Sequence, residues 1–358
     1  MTADQDVAAT PRESGSGRAV IIGAGMCGLM TALALPDYGE RLTLIDKGRS
    51  VGGRMATRRM AGGRADHGAQ FFTVRTTEFA DYVEEWRLKD WVFEWATHWS
   101  DGSLETGKPM AFARFAAHDG MNALAKNIAT ELGKTGVQIH LNERVTALAV
   151  HAGGWRLTTD HGRSLDAQVL IATAPVPQTL ALLETSKLRL DAQVAATLNR
   201  VAYAPCLCLL LHVDATPDLP EPGARQTPDG MVTWIADNRR KGISPNACIL
   251  TVHADPRFSA ANYDAPDDAI ITLLQPEIAP LLAGVNILEV EVKRWRYALP
   301  TQLHPERFLY TEIPAPLYFG GDAFGGPRIE GAALSGLAIA AHLIAYLRNH
   351  QDRTVGEA

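Results

Sequence analysis

The first pattern along the chain is an apolar run, a longer apolar segment and a second, alternating run. Residues 18–23 (RAVIIG) are short, β-branched and apolar, which predicts a buried strand. Residues 26–35 continue as an apolar stretch that Pro36 ends, which predicts a helix. Residues 41–46 (RLTLID) alternate as a second strand. Together the three segments predict a β-α-β unit in fewer than 30 residues.

The remaining patterns alternate between helix and strand and then become rich in strands. Residues 48–68 are rich in glycine and arginine, which predicts a loop. Helical spacing predicts helices over residues 77–88, 119–132 and 330–347, and near 267–282. Apolar runs predict strands over residues 137–141, 144–150, 155–159, 169–175 and 317–320, and a strand-rich stretch over 201–297. The last helix falls short of the ~20 apolar residues that span a bilayer, so we expect it to be buried.

The length of the chain predicts two interleaved domains, because 358 residues exceed one ordinary core. We predict an α/β fold whose first domain consists of residues 18–75, 119–198 and 316–350. A second, α+β domain on a mixed or antiparallel sheet takes residues 76–118 and 199–315. Residues 1–17 predict a disordered leader without the features of a signal peptide, and 351–358 a tail.

Composition narrows the class of protein. The chain is 46% hydrophobic and 21% charged, which is typical of soluble globular domains and argues against a membrane protein. A formal net charge of −6 provides no basic field to attract nucleic acid. The cysteines show neither CxxC nor zinc-like spacing, which predicts reduced thiols, no metal site and a cytoplasmic location. They are Cys27, Cys206, Cys208 and Cys248.

A glycine motif lies between the first predicted strand and the first predicted helix. Residues 23–28 (GAGMCG) form a GxGxxG, which allows a tight turn and the approach of a pyrophosphate to the helix N-terminus. A carboxylate at the end of the second strand, 23 residues later, can accept hydrogen bonds from a ribose. The pair predicts a bound dinucleotide, either NAD or FAD. The predicted contacts are Gly23, Gly25, Met26, Cys27, Gly28, Asp46 and Lys47.

Two further segments resemble the flavin amine oxidase superfamily. Residues 52–57 (GGRMAT) are similar to its GGRxxS/T stretch, in which the forked side chain of the arginine binds the FAD pyrophosphate. Residues 317–322 (LYFGGD) and 330–336 (EGAALSG) resemble its second FAD fingerprint, with the last helix directed at the flavin pyrimidine edge. The resemblance implies FAD contacts by Gly53, Arg54, Met55, Gln70, Phe71, Val145, Gly321, Asp322, Ile329, Glu330, Gly331 and Ala332.

A longer set of segments is similar to the renalase family, especially its bacterial branch. These are residues 53–75 (GRMATRRMAGGRADHGAQFFTVR), 203–206 (YAPC), 295–298 (WRYA) and 320–324 (GGDAF). The resemblance implies a p-hydroxybenzoate-hydroxylase-like fold with a Rossmann-type, GR2-like domain that binds FAD non-covalently. It also implies oxidation of the 1,2- and 1,6-dihydro isomers of NAD(P) to NAD(P)⁺, with dioxygen reduced to hydrogen peroxide.

The substrate wall is predicted from aromatic and polar positions on the second-domain strands and on the loop that leads to them. The candidates are Trp234, His253, Trp295, Tyr297, Gln70, Phe72 and Arg328. For His253 a core or surface imidazole remains an alternative, as core packing does for the tryptophans. Crowded aromatic residues also predict core packing, with a ligand wall as the alternative, at Trp86, Trp91, Phe93, Trp95 and Trp99.

Arg328 stands where amine oxidases carry an aromatic residue just before the Glu-Gly-Ala motif. A cation there would repel an ammonium substrate and would suit a nucleotide phosphate or an electron-rich flavin edge, with a structural salt bridge as the alternative. A dihydropyridine needs no general base, because loss of hydride gives an aromatic pyridinium. An amine oxidase and a redox-silent FAD protein or isomerase remain alternative functions. Asp119-Gly120 is interpreted as a helix cap, and Lys293 is left without a role.

Overall fold

The computed structural model describes residues 18–97 and 112–356, with side chains described as far as residue 348, so the predicted leader and Trp99 lie outside it. The strands are β1 (Ala19–Ile22), β2 (Leu42–Ile45), β3 (Thr57–Met60), β4 (Gly63–Asp66), β5 (Phe72–Thr73), β6 (Val92–Ala96), β7 (Arg114–Ala117), β8 (Gln138–His140), β9 (Val145–His151), β10 (Gly154–Thr159), β11 (Ser164–Ala167), β12 (Val169–Ala172), β13 (Ala202–Val213), β14 (Ala224–Gln226), β15 (Val232–Asp237), β16 (Cys248–Ala254), β17 (Ile287–Gln302), β18 (Leu309–Thr311) and β19 (Leu317–Phe319). The helices are α1 (Met26–Leu33), α2 (Thr77–Leu88), α3 (Met121–Lys134), α4 (Val176–Thr185), α5 (Ala192–Asn199), α6 (Pro256–Ala261), α7 (Asp267–Ile278) and α8 (Arg328–Gly356).

One sheet has six strands, in the order β18-β19-β12-β1-β2-β8; five of them lie in the predicted first domain, and β18 lies in the region predicted as the second. β1 runs parallel to both β2 and β12, and only β18 runs antiparallel to its neighbour. The central strands are buried, which explains their continuous apolar runs. The carboxyl ends of β1, β2, β12 and β19 therefore meet at one edge, where open α/β sheets bind ligands. The predicted β-α-β unit and the Rossmann-type sheet are confirmed.

The long helix α8 packs against α1 on this sheet. A Cβ at Gly336 would lie 2.3 Å from the Cys27 carbonyl oxygen, so only glycine allows the two helices to approach so closely. Residues 328–348 are long and apolar enough to cross a membrane, but 61% of that window is buried inside the protein. This is the burial of a core helix, as the sequence predicted. The helix also continues to Gly356, into the predicted tail.

An antiparallel five-stranded sheet, β14-β15-β16-β13-β17, lies within the region predicted as the second domain. The apolar residues of α7 pack on one of its faces. The other face meets a hairpin of β3 and β4 through Met60 and Ala65. The sequence interpretation of residues 48–68 as a loop was therefore wrong. Ala61 and Gly62 both have positive φ, the backbone that closes a two-residue hairpin, and burial against the sheet stabilises it.

A small sheet, β5-β7-β6, carries part of the aromatic segment. Trp86 is buried with Phe72 and Phe79, which confirms core packing for that tryptophan. Trp95 instead joins a separate group with Phe71 and Trp234, where the small sheet meets the second domain. The aromatic residues thus divide between two separate hydrophobic clusters.

Candidate functional site

The glycine loop after β1 has the geometry of an anion cradle. Gly23 has a φ of +116°, and a Cβ at Gly28 would lie 2.1 Å from the Gly23 carbonyl oxygen, so both positions require glycine. The space around Gly25 is open to 4 Å. Helix α1 begins there with no side-chain cap and no acidic residue in its first turn. Its N-terminus can therefore bind a phosphate, while the buried Met26 and Cys27 offer only their backbone.

Asp46 holds the loops at the carboxyl ends of β1 and β2 together. One carboxylate oxygen accepts a hydrogen bond from the Ala24 amide at 2.7 Å, and the other accepts one from the Gly48 amide at 2.7 Å. Each oxygen keeps capacity for a further donor such as a ribose hydroxyl. Lys47 extends to the Gln178 side chain at 2.7 Å, and Val145 is buried at the start of β9 nearby.

Arg54 and Asp322, which were predicted as separate cofactor contacts, form a two-pronged ion pair. The guanidinium donates to both carboxylate oxygens, at 2.8 and 2.6 Å. It also donates to the carbonyl oxygens of Tyr297 at 3.2 Å and Ala298 at 3.4 Å. The pair thereby joins the loop after β2 to the end of β19 and to β17, beside the glycine cradle.

The start of α8 approaches this edge with an unusual backbone. Arg328 has a φ of +80°, a conformation that costs energy for a residue with a Cβ. One Glu330 carboxylate oxygen accepts hydrogen bonds from the amides of Arg75 (3.0 Å) and Thr76 (2.8 Å) and from the Thr76 hydroxyl (2.9 Å). One oxygen of the Glu330 side chain thus anchors residues 75–76, and the cofactor contact predicted for Glu330 stays a prediction. A Cβ at Gly331 would lie 1.9 Å from the Gly326 carbonyl oxygen.

The other predicted FAD residues lie around the cradle or on the way to the second domain. Gly321 donates its amide to the Ser335 hydroxyl at 2.9 Å, which ties the end of β19 to α8. Ile329 is buried and Ala332 is half-buried in the first turns of that helix. A Cβ built on Gly53 would lie 3.6 Å from the Gly25 Cα, so the two loops are close, and Met55 is buried beneath the loop.

Four predicted or neighbouring side chains form what we call the imidazole–amide cluster: His67, Gln70, His253 and Trp295. The Trp295 indole stacks on His67 at 5.2 Å and donates to its carbonyl oxygen at 2.8 Å. Gln70 donates to the carbonyl oxygens of Asp66 (2.6 Å) and Gly68 (3.1 Å). Three buried atoms of this cluster find no hydrogen-bond partner among residues 18–97 and 112–356: His67 Nδ1, Gln70 Oε1 and His253 Nε2. Such atoms are rare in folded proteins, and each calls for an explanation such as a catalytic role or a bound water or ion.

Next to it lies the aromatic cluster of Phe71, Trp95 and Trp234. The Phe71 and Trp234 rings are 5.7 Å apart, and Trp234 pairs across the sheet with His253. Phe72 was wrongly predicted as substrate wall. It follows Phe71 in an extended segment, faces the opposite side and packs in the core against Phe79. Tyr297 packs edge-on against Tyr203 at 5.7 Å, near the Arg54 pair.

The sequence patterns did not predict a fully buried ion pair between Lys241 and Asp66. Lys241 and Asp66 are both inaccessible to solvent, and the ammonium lies 2.6 Å from the carboxylate. Lys241 also donates to the Gln70 carbonyl oxygen and lies 5.0 Å from the centre of the Trp95 ring. Charged residues in a loop usually indicate exposure, so no local signal marked this pair. It fixes the segment that carries His67 and Gln70.

Asp66 also replaces the predicted cap of α3. Its carboxylate accepts the Met121 amide at 2.8 Å and the Thr57 hydroxyl at 2.5 Å. Asp119 instead pairs with Arg64, and Gly120 occupies the cap position without a side-chain bond. The interpretation of Asp119-Gly120 as a helix cap is therefore confirmed at Gly120, but Asp66 rather than Asp119 supplies the side-chain acceptor.

Burial lowers the pKa of both His67 and His253 to about 4, from an ordinary value of 6.5. In the unfolded chain both imidazoles bind protons near pH 6.5, whereas in the folded protein they resist protonation until about pH 4. These residues therefore leave stability unchanged above about pH 7 and reduce it as the pH falls from 6.5 towards 4. We expect His253→Gln to flatten this fall, measured as urea midpoints at pH 7.5 and 5.0, and exposed His161→Gln not to. Equal slopes in all three proteins would contradict the assignment.

Comparisons with known proteins agree with this geometry. The family model of flavin-containing amine oxidoreductases matches residues 91–344, and that of NAD(P)-binding Rossmann-like domains matches residues 21–86. Renalase from Mus musculus is 24% identical over 350 residues, covering 92% of this chain and 99% of the mouse protein.

Solved structures show the same fold. A structure described as a protoporphyrinogen oxidase from Exiguobacterium sp. 255-15 superposes with a TM-score of 0.70 at 14% identity, covering 92% of this chain and 99% of that one. Wild-type putrescine oxidase superposes with a TM-score of 0.68 at 15% identity, with the same coverage. The predicted fold class, the resemblance to renalase and FAD as cofactor are confirmed. The chain belongs to the flavin-containing amine oxidoreductase family and is an FAD-dependent oxidoreductase.

Proposed function

We propose that this protein is an oxidase that takes hydride from the 1,2- and 1,6-dihydro isomers of NAD(P). A dihydronicotinamide nucleotide, dioxygen and one proton would give NAD(P)⁺ and hydrogen peroxide. The observation that carries the proposal is the imidazole–amide cluster, with its three unpartnered buried atoms among residues 18–97 and 112–356. A nicotinamide carboxamide offers N–H donors and a carbonyl acceptor, which match the Gln70 oxygen and neutral imidazole nitrogens.

The residues that would hold FAD fit the cofactor. The α1 N-terminus and Arg54 suit the pyrophosphate, Asp46 suits the adenosine ribose, and the start of α8 suits the flavin ring. When bound, FAD supplies a ring that accepts hydride from the substrate and passes the electron pair to dioxygen.

We propose that attachment is non-covalent, and the thiols support this. Burial raises the pKa of Cys27, Cys206 and Cys248 to about 12, and the pKa of Cys208 well above its ordinary value. Each therefore stays a protonated, unreactive thiol near neutral pH. Acid precipitation should leave the flavin in the supernatant.

The protein's own side chains would orient the substrate rather than move its protons. Gln70 Oε1 accepts from the carboxamide, and the imidazoles of His67 and His253 stay neutral. The aromatic cluster packs along the substrate and excludes water from the reacting ring. Lys241 keeps this wall in place through Trp95 and the Gln70 carbonyl group.

A mechanism without a general base predicts a flat pH profile. The pKa of both imidazoles is about 4, so neither changes charge between pH 6 and 9. We expect the limiting rate of flavin reduction by a dihydronicotinamide to vary by less than about twofold over that range. Anaerobic stopped-flow absorbance measures it. A sigmoidal rise of tenfold or more near neutral pH would reveal a titrating base and count against the mechanism.

An amine oxidase is the second candidate, because the family and the putrescine oxidase fold allow it. An amine must lose a proton before it gives up hydride, and a positively charged entrance opposes its binding. Burial lowers the pKa of Arg114, and repulsion by the nearby Arg75 and Arg328 lowers it further. This charge disfavours a cationic substrate.

The test is anaerobic reduction of the purified yellow protein by a panel of donors. Dihydronicotinamide isomers, including α-NAD(P)H, should bleach the flavin rapidly, and air should restore the colour with release of hydrogen peroxide. Bleaching by primary or secondary amines alone would favour the amine oxidase. If no donor in the panel bleaches the flavin, a redox-silent protein or an isomerase takes the place of the proposed oxidase.

A further inference from the structure

Three arginines from three separate elements meet beside the aromatic cluster, and we call them the arginine cluster: Arg75, Arg114 and Arg328. Arg114 begins β7, where it pairs with Thr73 of β5. Arg75 lies two residues after Thr73 and donates its Nε to the Thr73 hydroxyl at 3.3 Å. The Arg75 amide binds Glu330 at 3.0 Å, which brings the start of α8, and so Arg328, to the same place.

The guanidinium groups repel one another. Burial is the largest cause that lowers the pKa of Arg114 and of Arg328. Arg75 and Arg328 lower the pKa of Arg114 further, and Arg75 lowers that of Arg328 further. Glu330 raises the pKa of Arg328 and so offsets part of this repulsion, while one of its oxygens accepts three hydrogen bonds from residues 75–76. An anion bound between the three cations would relieve this repulsion.

Two aromatic rings fix the orientation of the cluster. The Arg75 guanidinium lies 5.0 Å from the centre of the Phe112 ring, and that of Arg114 lies 5.8 Å from the centre of the Phe71 ring. Phe71 in turn contacts Trp234 of the substrate wall. Arg75 and Arg328 are exposed, so a ligand in solution can reach them. Arg114 donates its Nη1 to the Phe112 carbonyl oxygen and contributes its charge, whereas the exposed Arg75 and Arg328 supply the N–H groups that can bind phosphate oxygens.

The backbone at Arg328, the first residue of α8, is strained. Its φ of +80° is unfavourable for a side chain with a Cβ, and Gly326 in the same turn would adopt such a backbone at less cost. Strained residues of this kind concentrate at ligand sites. Arg328 is the first residue of α8, and the helix dipole at this N-terminus also favours a bound anion.

We propose that Arg75, Arg114 and Arg328 form a phosphate-binding subsite for the substrate nucleotide, while its ring lies in the imidazole–amide cluster. The proposal rests on the proposed function and makes it more specific. The subsite is separate from the cradle at Gly25 and Arg54, which we assign to the pyrophosphate of FAD. The bound group is a phosphate ester, whether of the pyrophosphate bridge or of a 2′-phosphate.

Binding of substrates with different numbers of phosphates tests the subsite. The probes are the 1,6-dihydro forms of nicotinamide riboside, its mononucleotide, NAD and NADP, compared by the concentration dependence of anaerobic flavin reduction. We expect wild-type holoenzyme to bind the mononucleotide at least about tenfold more tightly than the riboside. Arg75→Gln, Arg114→Gln and Arg328→Gln should each remove most of this difference, measured against the riboside in the same variant.

Arg41→Gln is the matched control, since the half-buried Arg41 lies over the Tyr38 ring just before β2, at the opposite end of that strand from Asp46. A gain that begins with the mononucleotide or with NAD assigns the subsite to the phosphates of the bridge, and a gain only from NAD to NADP assigns it to the 2′-phosphate. Because each variant is compared with itself on two substrates, a general loss of stability does not imitate the effect.

Two outcomes would overturn the subsite. One is equal affinity for riboside and nucleotides in the wild type; the other is an equal loss for all of them in the variants, which would place the arginines at the flavin edge. Calorimetric binding of NAD⁺ and nicotinamide riboside to the same proteins requires no turnover. Arginine-dependent NAD⁺ binding without any bleaching would contradict the oxidase but support the subsite.

Discussion

Replacing Arg54 with methionine should give a protein that purifies with little or no FAD. The guanidinium makes two hydrogen bonds to Asp322, at 2.8 and 2.6 Å, beside the glycine cradle. Without it the Asp322 carboxylate, with only 13% of its side chain exposed, loses its partner and repels a pyrophosphate. We expect the dissociation constant for FAD to rise by about 100-fold or more, as titration of apoprotein by flavin fluorescence measures.

Arg58→Met is the matched control for this experiment. Arg58 makes a similar two-pronged contact with Glu291, at 2.9 and 2.8 Å, but lies on the β3–β4 hairpin and is half-exposed. It should retain normal FAD content. Arg54→Lys keeps the charge without the fork and should bind FAD with intermediate affinity. Wild-type affinity in Arg54→Met would remove Arg54 from the cofactor site.

Asp66→Asn should destabilise the protein by about 3–5 kcal/mol, the usual cost of leaving a buried charge without its partner. Lys241 and Asp66 are inaccessible to solvent and 2.6 Å apart, and the ammonium has no water to replace the lost carboxylate. Desolvation already lowers the pKa of Lys241, and Asp66 opposes that shift. The free energy of unfolding, from denaturant titration of the holoenzyme, measures the loss.

The double variant Asp66→Asn/Lys241→Met provides the control, because it removes both charges. Methionine fills a similar volume, and asparagine retains an acceptor for the Met121 amide that caps α3. The double variant should therefore be more stable than Asp66→Asn alone. If the loss of unfolding free energy in the double variant equals the sum of the losses in Asp66→Asn and Lys241→Met alone, the pair is not coupled. Its role in fixing His67 and Gln70 would then be wrong.

Local patterns predicted the parts of the fold that depend on local chemistry. The apolar run of β1, the GxGxxG and Asp46 lie within one β-α-β unit, and their spacing determines their geometry. Arg54 and Asp322 were found by motif, but their pairing was not. It joins residues 268 positions apart and depends on the order of strands in the sheet.

Features that depend on distant contacts were missed. The β3–β4 hairpin has a polar sequence and is stabilised by burial against β13 and β16, which no local pattern reveals. Asp66 and Lys241 resemble surface charges until the two domains meet around them. Phe71 and Phe72 are neighbours in extended backbone, so their side chains point to opposite sides. Phe72 lies in the core, and Phe71 lies against Trp234.

Single-turnover stoichiometry tests the central claim most directly. The holoenzyme is mixed anaerobically with an equal amount of 1,6-dihydro-NAD, and the flavin absorbance and the NAD⁺ formed are followed together. The account predicts one NAD⁺ for each flavin bleached and, on admission of air, one hydrogen peroxide for each flavin restored. A flavin that stays oxidised in the presence of 1,2- and 1,6-dihydro-NAD(P), or that is bleached only by amines, would contradict it.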